Sequence, residues 1–182
     1  MGHLDPAAAI AAFNAQAQSE DWPVRCEVAG VFDSRELTDI FELWRSRAGG
    51  DQIPARDEFD LRTLKGAARL ITIVELVNEH DRRRYRMRLV GSGVVQVFGE
   101  STGRYLDEVV PAPLVPSWLA GYDLILSQAV PLRFQSWFRI PGADHLRAES
   151  FCAPLRGSGL RPDMVLGASA FSLKDGSRPR FR

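Results

Sequence analysis

Gly91-Ser92-Gly93 is the first place where residue types and spacing invite chemistry. Two glycines between a strand-like and a helix-like run open a dinucleotide fingerprint, in which backbone N–H groups at a helix start cradle a pyrophosphate. The fingerprint needs a third small residue, and Gln96 stands there instead. It also needs a further strand ending in an acid, whereas Tyr105–Val110 leads into Pro111 and Pro113. The glycines therefore read as turn residues with positive φ. Asp144 and His145 are adjacent, so on a strand or turn their side chains diverge and make no base with its orienting acid. Gly167-Ala168-Ser169-Ala170-Phe171 lacks the second glycine of a nucleophile elbow. Glu149, next to Ser150 and near Arg147, reads as half of a solvated cross-strand pair.

Metal chemistry is no better provided for. Cys26 and Cys152 lie far apart and form no CxxC pair, and His3, His80 and His145 fall at the terminus, in a polar hairpin and at a turn. No metal site is expected, and two reduced thiols suit a cytoplasmic protein. Arg82-Arg83-Arg84 with Arg86 and Arg88 makes a basic strip, read as the charged edge of an exposed hairpin. Lys plus Arg and Asp plus Glu both total 23, and this balance argues against a dedicated nucleic-acid binder. No apolar run approaches the length of a membrane span, and Asp5 stands where a signal peptide carries basic residues. A chain of 182 residues, 45% hydrophobic, can bury a core without disulfides or metals.

The elements that must position these residues follow from periodicity. Asp5 and Pro6 begin an alanine-rich helix to Gln18, whose thin apolar face, mainly Ile10 and Phe13, needs a partner, either the domain or a second copy. Trp22–Phe32 reads as a poorly patterned link, with an extended course as one option. Asp33 and Glu36 have capping-box spacing before Leu37, Ile40, Phe41 and Trp44, a helix stopped by Gly49-Gly50. Leu61–Ala68 suggests a short helical turn. From Leu70 the period becomes strand-like: Leu70–Val77, then Tyr85, Met87 and Leu89 alternating with arginines. Pro113–Ala129 is helical, and three strands close the chain: Leu132–Ile140, Leu146–Leu155 and Met164–Phe171. The expected division is 1–32 as N-terminal helix and linker, 33–174 as the domain, and 175–182 as a disordered tail.

Three motifs sit in register on this pattern. They are Leu43-Trp44-Arg45 with Pro54-Ala55-Arg56-Asp57-Glu58-Phe59-Asp60; Tyr85-Arg86-Met87-Arg88-Leu89-Val90-Gly91; and Phe98-Gly99 with Thr102-Gly103-Arg104-Tyr105-Leu106-Asp107-Glu108. Over about Leu37 to Ser172 the chain resembles the PAS superfamily, in particular a bacterial PAS-like subfamily formerly treated as a domain of unknown function. The resemblance implies an α+β fold, with a five-stranded antiparallel sheet of order 2-1-5-4-3 and helices over one face. It also implies a non-catalytic sensory or interaction module. By alternation, Met87, Leu89, Val97, Phe98, Phe134, Ser136, Ser150 and Cys152 would line its cavity. Trp137, out of phase with its neighbours, would lie on the outer face that PAS domains use for dimer or partner contacts. Neither haem nor flavin is expected: no histidine lies on the cavity helices, and no N-C-R-F-L-Q segment offers a flavin-reactive cysteine. A homodimer, with Ile10, Phe13 and Trp137 at its contacts, is the expected assembly. A small-molecule ligand and a protein partner are further expectations, with no nucleic acid and no membrane among them. No output domain is evident, so the signal is expected to leave by protein contact. The alternative is a small-molecule enzyme in a cone-shaped, steroid-isomerase-like fold, which would need a buried carboxylate opposed by a tyrosine, with Asp107 and Tyr122 the pair available.

Overall fold

The computed structural model describes residues 5–49, 52–79, 82–140 and 143–173. Asp5 accepts the amide of Ala7 and Pro6 takes the first helical position, so helix α1 spans Pro6–Ser19. Its stripe of Ile10, Phe13 and Ala17 turns inward. Ile10 and Phe13, only 8% and 6% exposed, are thus core residues and not the contacts of a second copy. The reason is the adjoining Val24–Val28, strand β1, which was expected to be a link. Its alternating Val-Arg-Cys-Glu-Val pairs antiparallel with strand β4, Leu132–Ile140, and gives α1 a surface to cover. The Asn14 carboxamide donates to the Cys26 carbonyl at 2.8 Å and accepts the Cys26 N–H at 2.9 Å, fixing the helix to the strand edge. Strand β1, before residue 32, thus belongs to the same sheet as the strands that follow it; the 175–182 tail lies outside the described residues.

Helix α2, Arg35–Arg47, is capped by Ser34 and not by Asp33: the Ser34 hydroxyl accepts the Leu37 N–H at 3.5 Å. After it come α3 (Leu61–Leu64), strands β2 (Ile71–Glu79) and β3 (Arg82–Val90), helices α4 (Ser92–Phe98), α5 (Leu106–Val109) and α6 (Val115–Gln128), then β4, β5 (Ala143–Leu155) and β6 (Met164–Ser172). The sheet is antiparallel with order β1-β4-β5-β6-β2-β3. Strands β2 to β6 reproduce the order 2-1-5-4-3 implied by the PAS resemblance, and β1 adds a sixth strand beside β4.

Helix α2 covers one face of this sheet. Leu37, Ile40, Phe41 and Trp44 pack on Ile71, Ile73, Phe151, Ala153, Leu155, Leu166 and Ala168, and the Trp44 indole N–H donates to the Pro154 carbonyl at 3.0 Å. Beside the helix start, Arg133 and Glu149 pair with side chains only 13% and 12% exposed. Glu149 also accepts the N–H groups of Asp33 and Ser34, while Arg133 reaches Glu27 and Asp33. Glu149 thus anchors α2 to the sheet and is not the solvated pair expected from its neighbours. Burial works against the Arg133 charge, but hydrogen bonds to Glu27 and Glu149 hold its pKa above the ordinary value.

The motif residues prove to be structural brackets. Gly91 has φ −68°, and among the described residues the glycines with positive φ are Gly99 and Gly103, not Gly93. What excludes a side chain at Gly91 is close approach: an added Cβ would lie 2.5 Å from the carbonyl oxygens of Ala68 and Arg69. At Gly93 it would lie 2.9 Å from the Arg69 oxygen. Phe59 of the Pro-Ala-Arg segment is buried, and that segment is tied to Arg156 through Arg56 N–H (2.8 Å) and the Pro54 carbonyl (2.9 Å). Arg84 pairs with Glu79, Asp107 and Glu108 and lies 3.7 Å over the Tyr105 ring, while Arg86 donates to the Gly103 carbonyl. Much of the basic strip is thereby engaged within the fold.

Candidate functional site

The second face of the sheet, under α4, α5 and α6, is not filled. Between them lies a cavity of about 130 Å³. Strand alternation sends Thr72, Ser136, Ser150, Cys152, Gly167 and Ser169 into its floor, and the helices and their connections supply Phe98, Leu106, Val109, Leu114, Trp118 and Tyr122. Small residues account for the space. Gly167 has no side chain because the Thr72 hydroxyl sits where its Cβ would be, 2.4 Å away. Gly121 of α6 leaves room beside the Phe134 ring. Phe98 packs edge-on against Trp118, Phe138 and Phe171, with centroids 5.5 to 6.1 Å apart, and stays partly exposed at the cavity margin.

Six of the eight expected cavity residues meet there: Met87, Phe98, Phe134, Ser136, Ser150 and Cys152. Leu89 does not. A β-bulge between β2 and β3 sets Met87 opposite Val74 but Leu89 opposite Ile73, which turns Leu89 onto the α2 face. Val97 also falls outside the lining, because Val94 and Phe98 at i, i+4 present the inward ridge of α4. Residues from irregular segments, such as Ser101, Val110 and Leu114, carried no periodic signal that could have placed them. Thr72 and Ser169 did carry one, since a hydroxyl on an inward strand position among apolar neighbours marks unfilled space. Trp137 is 44% exposed, pairs across the sheet with Arg147, and stands on the outer side.

None of the described lining residues is charged. The Ser150 and Ser169 hydroxyls share one hydrogen bond of 2.8 Å, so one O–H of the pair is unspent. Tyr122 is buried, lines the cavity, and its hydroxyl makes no hydrogen bond among the described residues. Burial, with Cys152 and Tyr85 nearby, pushes the Tyr122 pKa well above the phenolic range. Burial likewise pushes the Cys152 thiol up to about 12, and desolvation with neighbouring Cys152 and Glu27 raises Cys26 further. Both thiols are free and protonated at neutral pH, which makes them inert as nucleophiles. The isomerase pair is not assembled: Asp107 is exposed, paired with Arg84 at 2.8 Å, and lies outside the cavity lining that contains Tyr122. Among the described residues no cluster of three His, Cys, Asp or Glu is placed to hold a metal, and no helix is long and apolar enough to cross a membrane. His3 and His80 and the side chains of Asp144 and His145 lie outside the described residues.

Strand order, helix placement and an inner cavity together define a PAS-like α+β fold. No family model and no curated protein matches the chain. Two similar solved structures are light-oxygen-voltage domains, which belong to the PAS superfamily. The light-state structure of the blue-light photoreceptor Aureochrome1 LOV shares 14% identity at TM-score 0.40, covering 63% of this chain and 90% of that one. An RNA-binding light-oxygen-voltage receptor shares 11% identity at TM-score 0.43, covering 81% of this chain, while this chain spans 38% of that receptor. Likenesses this distant carry no functional argument; the topology itself is the ground for the fold.

Proposed function

We propose that this protein is a non-catalytic, cytoplasmic PAS-like sensory module that binds a small ligand in the inner cavity and passes the signal on by protein contact. One observation carries the reading: the cavity shares a wall with the N-terminal unit. Phe134 lines the cavity and meets Phe13 of α1 edge-on at 5.8 Å, and Pro23 and Val24, at the start of β1, line the cavity too. An occupant that shifts Phe134 changes the packing that holds α1 and β1, so ligand binding would bias their docking. The outer sheet face at Trp137 is the proposed contact for a partner or a second copy. Support for binding over catalysis comes from the uncharged described lining, which offers no ionised acid or base. At about 130 Å³ the cavity is well below the roughly 300 Å³ at which cofactor-sized sites begin. Neither haem nor flavin is part of the reading.

Xenon tests it without presuming a ligand, since it enters apolar cavities of this size whatever their hydrogen bonding. Xenon should bind the full chain, seen by NMR, and change amide-exchange protection in Ala9–Ala17 and Val24–Val28. A cavity closed to xenon overturns the ligand-binding reading, and entry without any change in α1 or β1 overturns the relay.

A further inference from the structure

We infer that the cavity's ligand class is a neutral, single-ring aromatic bearing a hydroxyl or similar hydrogen-bonding group, a phenol in the simplest case. The inference rests on the ligand-binding reading and narrows it.

Three observations converge. Size comes first: a dry cavity of about 150 Å³ accommodates benzene, so 130 Å³ holds one ring and few further atoms. Charge comes second. With no charged group among the described lining residues, an anion or cation would enter without a counter-charge, at a desolvation cost its contacts do not offset. Hydrogen bonding comes third, and it excludes a pure hydrocarbon as the best fit. Thr72, Ser136 and Tyr122 line the cavity with hydroxyls that make no hydrogen bond among the described residues, and the Ser150–Ser169 pair holds one more unspent O–H. Among the described residues only Gln128 Oε1 is a buried side-chain polar atom without a partner, so these hydroxyls face the open volume, where a ligand's hydrogen-bonding group would take the place of water. A ring facing Phe98 and Trp118 with its hydroxyl toward the serines satisfies both halves of the wall.

The test compares four probes on the full chain by calorimetry and NMR: phenol, toluene, benzoate and xenon. Phenol is expected to bind about tenfold more tightly than toluene, and benzoate not at all. Replacing both serines with alanine (Ser150→Ala with Ser169→Ala) should reduce the phenol preference to about twofold or less while toluene binding is kept. Thr72→Val, which removes one lining hydroxyl, supplies a second variant and should likewise lower the phenol preference while toluene binding is kept. Equal binding of phenol and toluene, or tight binding of benzoate, overturns the ligand class but leaves the cavity reading intact provided xenon enters. Exclusion of xenon along with the organic probes overturns both.

Discussion

The two faces of this sheet are built from alternate residues of the same strands, yet one packs solidly under a helix while the other leaves a cavity within its core. On the α2 side, Ile71, Ile73, Phe151, Leu155 and Leu166 are fully buried and interlock with Leu37, Ile40, Phe41 and Trp44. On the α6 side the intervening positions are Thr72, Ser150, Cys152, Gly167 and Ser169, which reach less far than the helices stand off. Period-2 alternation lets one strand contribute packed core with one set of positions and cavity floor with the other. Residue size, more than hydrophobicity, decides which face does which.

Phe151→Ala would break that contrast most severely. It removes the ring on which Phe32 and Phe41 pack, 5.9 and 5.7 Å away, and should cost about 3–5 kcal/mol in urea denaturation. Xenon affinity of the molecules that stay folded should not change. Arg133→Met comes next, since it leaves Glu149 without its cation beside the α2 start; a loss of about 1.5–3 kcal/mol is expected by chemical denaturation. Gly121→Ala sharpens the comparison because its sign is opposite. The new methyl would sit 3.5 Å from the Phe134 ring, an ordinary contact, and a helix-interior alanine should raise stability by about 0.5–1 kcal/mol. It should also reduce xenon uptake, and unchanged uptake would show that the cavity does not depend on Gly121. Least visible at neutral pH is the alkaline response. The folded Cys152 thiol titrates near 12 against an ordinary 9.0, so its neutral form contributes stability that is complete below pH 9 and lost as pH rises through 12. Melting temperature should fall between pH 9 and 11, by less in Cys152→Ala; an equal fall in both proteins would refute this assignment.

Most of the architecture was legible because it is periodic. The five strands from Ile71 onward, the α2 face and the Trp137 orientation follow from alternation and i, i+3, i+4 spacing. Strand β1 was obscured by brevity and by Pro23, although Val24-Arg25-Cys26-Glu27-Val28 does alternate; only its partner strand makes it a strand. Leu89 was misplaced because a bulge reverses facing without any mark in composition. Gly91 is required for a related cause: its close approach to the Ala68 and Arg69 carbonyls joins distant segments, a tertiary fact without a local signal. Within the cavity, strand residues could be found and those of single-turn helices could not, since Leu106, Val109 and Leu114 occupy segments too short to show a period.

The Asn14 carboxamide has a consequence for how this protein can meet others. By pairing with both backbone groups of Cys26 it stands in for one residue of a further strand, so the sheet ends on a side chain. The opposite margin, β3, is engaged near Met87, which receives the Gly103 N–H and donates to the Arg104 carbonyl, and its neighbours are arginines. With both margins obstructed, strand-to-strand polymerisation and peptide capture by sheet extension are disfavoured. Any contact with a partner is then left to side chains on a face, a mode in which specificity can change one residue at a time.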